Sequence, residues 1–274
     1  MTTTPKRTRM RTIWRLSNRL WGVVKRLLGP EKKPGTRGRP PVPFRRVLDG
    51  ILFVLRTGCQ WKAVPLALAS GSTLHRRFQT WVRSGVFRQL WRRLLRAYDA
   101  RRGIAWRWQA VDSASTKAPL GGEATGPNPT DRGKGGTKRH VLSDRRGAPL
   151  AVHVTAANTH DMKALFATLD HPVVRRPALA QPQHLCLDKG YDYPEIERGV
   201  ARRRYVLHMP RRGEEAPATT VRRHSPKRWA VERTHSWHNR YRRLLIRWEK
   251  QVTNYEALIH FACALMVYRL LFLG

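Results

Sequence analysis

Trp108-Gln109-Ala110-Val111-Asp112 and, far downstream, His184-Leu185-Cys186-Leu187-Asp188 decide how this chain is read, because each is a short apolar run closed by a carboxylate. Runs of this length read as buried strands rather than helices. A third acid, Glu232, sits in Arg228-Trp229-Ala230-Val231-Glu232 on a helical pattern. The chain has 54 Lys and Arg against 18 Asp and Glu, so acids placed in apolar segments stand out. Three carboxylates supply the hard oxygen ligands that two divalent cations need while clamping the attacking and leaving oxygens of a phosphodiester. Asp112, Asp188 and Glu232 are therefore the candidate catalytic and metal-binding residues.

The net charge of +36 calls for a polyanionic partner, and nucleic acid fits best. A membrane surface is disfavoured because the basic residues are spread along the chain rather than gathered on one amphipathic helix. At 274 residues with 41% hydrophobic content, the chain is long enough for a sizeable core and roughly two domains. Cys59, Cys186 and Cys263 are widely separated in apolar contexts, which supports neither a disulfide framework nor a zinc site. Arg15 and Arg19 interrupt what would be the apolar part of a signal peptide. The apolar run from Ile259 to Leu273 contains His260 and Arg269 and reads as a buried terminal helix.

Residues 1–43 form a basic segment, with Leu16, Leu20, Trp21 and Val24 at helical spacing, followed by a proline-rich linker from 30. Residues 44–102 read as three helices, Phe44 to Leu55, Gly71 to Ser84 and Phe87 to Tyr98, in an arrangement like a helix-turn-helix. His75, Arg76 and Arg77 on the middle helix are the candidates for DNA contact. After Gly103 the texture becomes strand-like, so 103–274 is taken as the second domain. Its predicted order is a strand from Ile104 to Asp112, a hairpin of Thr137–Leu142 and Pro149–Val154, a helix opening at Asn158 and a strand at Leu185–Leu187. A helix from Pro194, a strand at Tyr205–Met209, and helices over Pro226–Ile246 and Asn254–Leu271 complete it. The first and fourth strands of that order are expected to lie side by side in a mixed sheet, with Glu232 brought to them by a late helix.

Val111-Asp112-Ser113, Leu187-Asp188-Lys189-Gly190-Tyr191 and Arg228-Trp229-Ala230-Val231-Glu232-Arg233-Thr234 resemble the three catalytic boxes of the DDE transposases of bacterial insertion sequences, in the insertion-sequence-four/five superfamily, insertion-sequence-five type. Lys134–His140, Ala156–Asp161 and Leu48–Trp61 are also similar to that family, so the resemblance spans roughly residues 40–272. It implies an α/β fold, an RNase H-like catalytic domain with a mixed sheet, preceded by a small all-helical DNA-binding domain. It implies two Mg2+ ions held by Asp112, Asp188 and Glu232, with Mn2+ as a substitute. The chemistry implied is hydrolysis at the transposon end, then attack of the freed 3′-hydroxyl on target DNA, with no covalent protein intermediate. The implied partners are double-stranded DNA, as transposon ends and target, and a second copy of the chain in a DNA-bound homodimer. The implied location is the bacterial cytoplasm, on the nucleoid, with no membrane partner.

Ser225 and Asn239 stand where related members have Tyr and Lys. Arg240, with Arg242 and Arg243, is expected to supply phosphate contacts instead, alongside Arg228, Lys138, Arg139 and Lys189. Asp161 reads as a first-turn helix acid, and Trp229 and Trp237 as core packing. His235 and His238 are expected to contact DNA or the helix surface, since imidazole suits zinc better than magnesium. The alternative function is a catalytically inactive DNA-binding regulator derived from a transposase, against which the presence of all three acids counts. A structure-selective nuclease on the same fold is the third reading.

Overall fold

Helix formation begins where the apolar spacing predicts it. In the computed structural model, which describes residues 15–31, 40–178, 180–211 and 228–272, the first compact unit covers Met1–Val86 and the second Phe87–Gly274. The segment 1–14, most of the linker, Ser225 and the first residues of the helix predicted from Pro226 lie outside the described residues.

In the first unit, α1 (Asn18–Lys25) is capped by Ser17, whose hydroxyl accepts from the Leu20 N–H. It buries Leu20 and Val24. The N–H of Leu16 donates to Asp49 Oδ1 (2.8 Å), and burial raises the Asp49 carboxyl above its ordinary range. Helix α2 (Phe44–Thr57) buries Val47, Leu48, Ile51, Leu52, Val54 and Leu55, and Gly58 at φ 73° ends it by donating back to Val54 O. Helix α3 (Gly71–Arg83) is capped by Ser70 and buries Leu74, Phe78 and Trp81. Gly50 lies against the Leu74 side chain, so the absence of a Cβ there is what lets α2 and α3 approach. Residues 58–70 join these helices, a longer connection than the roughly three to four residues of a helix-turn-helix.

The helix predicted at 87–98 is α4 (Val86–Arg102), and from Phe87 onward it belongs to the second unit, so the boundary falls earlier than the texture change at Gly103. The reason is packing. Trp91 is buried, donates from Nε1 to Pro149 O (3.2 Å) and stacks on His260, while Phe87 meets Phe261.

The second unit is built on a mixed sheet of β1 (Trp108–Lys117), β2 (Gly126–Pro127), β3 (Gly135–Asp144), β4 (Pro149–Ala156), β5 (Gln183–Cys186) and β6 (Tyr205–His208). Its order is β2-β3-β1-β5-β6, with β4 on β3. Strands β1, β3 and β4 are antiparallel neighbours, and β5 and β6 run parallel to β1. This is the mixed-sheet arrangement of an RNase H-like domain. Between the strands lie α5 (Asp161–Asp170) and α6 (Pro194–Arg202), and α7 (Trp229–Asn239) and α8 (Val252–Phe272) follow.

Two differences from the sequence reading bear on the site. Strand β1 starts four residues later than predicted and continues five beyond Asp112, so Asp112 lies mid-strand rather than at a strand end. Ser113 to Thr116 lack an apolar pattern, yet each is paired with β3, from Ser113 opposite His140 to Thr116 opposite Thr137. The helix predicted over 226–246 stops at Asn239 and is replaced by a 3-10 turn at Arg242–Leu244 and a parallel bridge from Ile246 to Lys117. Helix α8 is long and apolar enough by length and composition to cross a membrane, and most of it is buried in the core.

Candidate active site

Side chains two apart on a strand share a face. On one face of the sheet Ala110 and Cys186 meet Val141, and Val231 of α7 packs onto them, which makes Val231 the residue that seats the helix. Thr234 fastens the same helix by donating to Gly147 O (2.9 Å). With Val231 facing the sheet, the next residue, Glu232, is turned about 100° round the helix. It is half exposed and lies one turn from Arg228. Asp112 follows Ala110 by two, on the face that α7 covers. Asp188 comes two residues after β5 ends, where it caps a 3-10 turn by accepting from the Lys189 N–H (2.8 Å).

Arg228 joins these elements. Its Nη1 is 2.9 Å from Asp188 Oδ1 and its Nη2 is 2.8 Å from Glu232 Oε1. Burial works against its charge, but Asp188, Asp112 and Glu232 together raise the guanidinium pKa above its ordinary value. Burial pushes the Asp112 carboxyl up to about 6; the Ser113 N–H and Arg228 oppose the rise, and the charges of Asp188 and Glu232 add to it. Three acids far apart in sequence thus converge on one guanidinium.

The residues fit a divalent cation by donor chemistry. Carboxylate oxygens suit hard cations, and a partly buried acid whose neighbours are also acids attracts positive charge. Arg228 is the cation that stands there. Among the described residues, no three His, Cys, Asp or Glu side chains are placed to hold a metal ion. Asp188 and Glu232 therefore meet through the guanidinium, while Asp112 feels its charge without pairing to it.

Other predicted site residues are distributed unevenly. Lys189 and Arg240 are exposed, as are His75 and Arg76 on α3, whereas Arg77 lies 4.8 Å from the centre of the Phe44 ring. Lys138 is tied to Asp161 Oδ1 (3.0 Å) and Thr159 O (2.9 Å). Arg139 is buried, donating to Leu244 O and Asn239 Oδ1, so it braces the end of α7 instead of facing a phosphate. Asn239 Oδ1 is one of the acceptors for that brace. Arg243 is also buried, paired with Glu249 at 2.7 Å. His235 and His238 face the core rather than DNA. Burial pushes His235 down to about 4 and His238 well below its usual value, and His238 Nε2 lies 3.3 Å from Cys263 Sγ. Trp229 is 47% exposed, not core, and Arg233 stacks against both Trp229 and Trp237.

Tyr191 was visible in sequence only as a flank of Asp188. Its ring is buried, and its hydroxyl has no hydrogen-bond partner among the described residues. Burial, with the charges of Asp161, Asp112 and Asp188, raises its pKa well above the usual phenol value. Asp161, on the first turn of α5 as expected, is therefore also a neighbour of the acid cluster. No sequence signal marks either role, because both depend on how the 3-10 turn tucks Tyr191 under the acids.

Similarity to known proteins follows the same division of the chain. Residues 107–267 match the family model "Transposase DDE domain", and residues 16–91 match "Putative transposase of IS4/5 family". A Burkholderia cepacia protein named "Putative transposase for insertion sequence element IS402" is 34% identical over 151 residues, covering 54% of this chain and 70% of that protein. "Insertion element IS402 uncharacterized 16.2 kDa protein" from the same organism is 37% identical over 118 residues, covering 42% of this chain and 80% of that protein. Among solved structures, the catalytic domain of the Mos1 mariner transposase aligns with 66% of this chain and 91% of its own, at 9% identity and a TM-score of 0.29.

Proposed function

Given that this chain belongs to the DDE transposases of the IS4/5 family, we propose that it binds the terminal inverted repeats of its insertion sequence and catalyses metal-dependent DNA cleavage and strand transfer. Asp112, Asp188 and Glu232 are the catalytic carboxylates in this reading. The observation that carries it is the single guanidinium of Arg228, paired with Asp188 and Glu232 and with its positive charge favoured by all three acids.

The three carboxylates would hold two divalent cations, Mg2+ with Mn2+ as substitute. When bound, the ions activate the attacking oxygen and stabilise the leaving one. Arg228 offsets the repulsion among the acids before the ions and DNA arrive, and then becomes available to a phosphate. The aliphatic packing of Val231 on Ala110 and Cys186 holds Glu232 at a fixed height over the sheet. Lys189, next to Asp188, and Arg240, past the end of α7, are exposed and are the phosphate contacts of the second unit, and His75 and Arg76 on α3 contact DNA from the first unit. Two ends must be joined in one reaction, so the working assembly is a DNA-bound homodimer, located on the nucleoid in the cytoplasm.

The test incubates the full chain with Mg2+ and duplex DNA carrying the flanking ends of its element, beside Asp188→Asn. The expected result is cleavage and joining by the native chain and loss of both in the variant, which still binds DNA. Binding without reaction by the native chain would instead identify a regulator, and hydrolysis without joining a nuclease.

A further inference from the structure

Away from the acids, the second unit carries a cavity of about 500 Å³ whose rim is largely arginine: Arg92 and Arg96 from α4, Arg175 and Arg176 from the segment leading to β5, and Arg203 from the turn before β6. Its one carboxylate, Asp170, is taken up by Arg203, which donates to both oxygens from Nε and Nη2 and lies over the Phe166 ring. The other four guanidinium groups have no ion-pair partner among the described residues. Two of the four are held in place by uncharged groups. Among the described residues Arg92 donates from Nε to Val173 O (3.0 Å), and its terminal nitrogens have no acceptor there. Arg176 donates to Arg203 O, stands 4.0 Å from the centre of the Tyr205 ring, and has no acceptor for Nη1 among the described residues.

Like charges gathered around a concavity repel each other more strongly than on an open face, because less water screens them. An anion relieves that repulsion, and the planar guanidinium fork matches phosphate oxygens two at a time. Position separates this cavity from the acids. Tyr205 opens β6 and pairs with Gln183, which opens β5, whereas Asp188 follows the other end of β5. The five residue steps from Gln183 to Asp188 amount to roughly 16 Å at the rise of an extended strand. That is about five base pairs along a duplex.

We propose that this arginine-lined cavity is a second phosphate-binding site, which holds a DNA backbone phosphate several base pairs from the bond that reacts. It rests on the reading of the chain as a DNA-processing enzyme, but its test has an independent readout. Arg96→Gln with Arg175→Gln removes two exposed cavity charges, and Arg198→Gln with Arg202→Gln removes two exposed charges from α6 as the matched control. Binding of each full-length variant to duplex DNA with the element's ends is followed against salt, together with phosphate-ethylation interference. The cavity pair is expected to lower the log–log salt slope by about 0.9, the loss of one phosphate contact. It should also lose interference at one phosphate several base pairs from the cleavage point, while the control pair keeps it. Equal changes in both pairs, or none in the cavity pair, would overturn the site. Tripolyphosphate provides the second arm: if it raises the melting temperature of the native chain but not of the cavity pair, while DNA binding is identical in the two, the ligand is a free polyphosphate and the DNA assignment fails. Cleavage is measured alongside. Normal cleavage with no cavity effect sinks the cavity alone, and cavity-dependent binding by a chain that never cleaves sinks only the transposase reading.

Discussion

Asp112 and Asp188 each follow by two residues the last pair of the parallel ladder between β1 and β5, Ala110 with Cys186. Strand β1 continues to Lys117 on its other side, paired with β3, while β5 turns away. The two carboxylates therefore sit at the place where the ladder opens. Backbone groups there remain satisfied by β3 and by the turn at Asp188, so the side chains are offered to a ligand without a cost in unpaired peptide groups.

Asp112 should give a pH dependence to stability. Its folded carboxyl is raised from the model-compound value of 3.8 to about 6, mainly by burial, so the folded chain holds the proton more tightly than the unfolded one. That contribution is fully present below about pH 4 and is lost as pH rises through 6. Linkage puts the loss at up to about 3 kcal/mol. Urea unfolding in chelator at pH 4 and pH 7 should show the native chain losing more stability than Asp112→Asn; parallel losses would count against the burial argument.

Arg228→Ala frees Asp188 and Glu232 from their shared cation. The pairs are substantially exposed, so the stability change should stay within about 1 kcal/mol. Calorimetric titration with Mn2+ in the absence of DNA is expected to show tighter binding to the variant, because the ion no longer competes with the guanidinium. Unchanged affinity would mean that Arg228 does not occupy the cation position.

The buried pair Arg243–Glu249, with side chains 7% and 6% exposed, responds differently. Arg243→Met leaves Glu249 without its partner in the interior and should cost about 3–5 kcal/mol. Adding Glu249→Leu should recover much of that loss in thermal or urea unfolding. If the double variant is no more stable than the single, the charge left behind is not what destabilises it.

Gly122 has φ 111° and lies against the backbone of Lys250. In Gly122→Ala a Cβ would meet the Lys250 carbonyl and the backbone would be strained as well, for a cost of about 2 kcal/mol or more. Gly22→Ala, where nothing lies within 4 Å, is the control and should not destabilise the chain in the same assay.

Local signals made much of the fold legible. Helix α2 appeared within two residues of its ends because its apolar spacing and the Gly58 stop act over a few residues. The β3–β4 hairpin and α6 were readable for the same reason. The strand character of Ser113 to Thr116 was not, since it comes from pairing with residues far along the chain. Nor was the allegiance of α4, which depends on the burial of Trp91 against Pro149 and His260. At the site, charge alone could not separate exposed Lys189 and Arg240 from buried Arg139 and Arg243.

By itself the sequence determined the identity and order of the three acids, their apolar flanks, the excess of positive charge and the family, because these are properties of residue type and spacing. Only the tertiary structure decided that Asp112 lies mid-strand opposite the turn of Asp188, that Arg228 is the shared counter-ion, and that Tyr191 lies among the acids. It also turned His235, His238 and Arg139 inward. Those outcomes depend on register between distant strands and on which face of α7 meets the sheet, and no local pattern of residues encodes either.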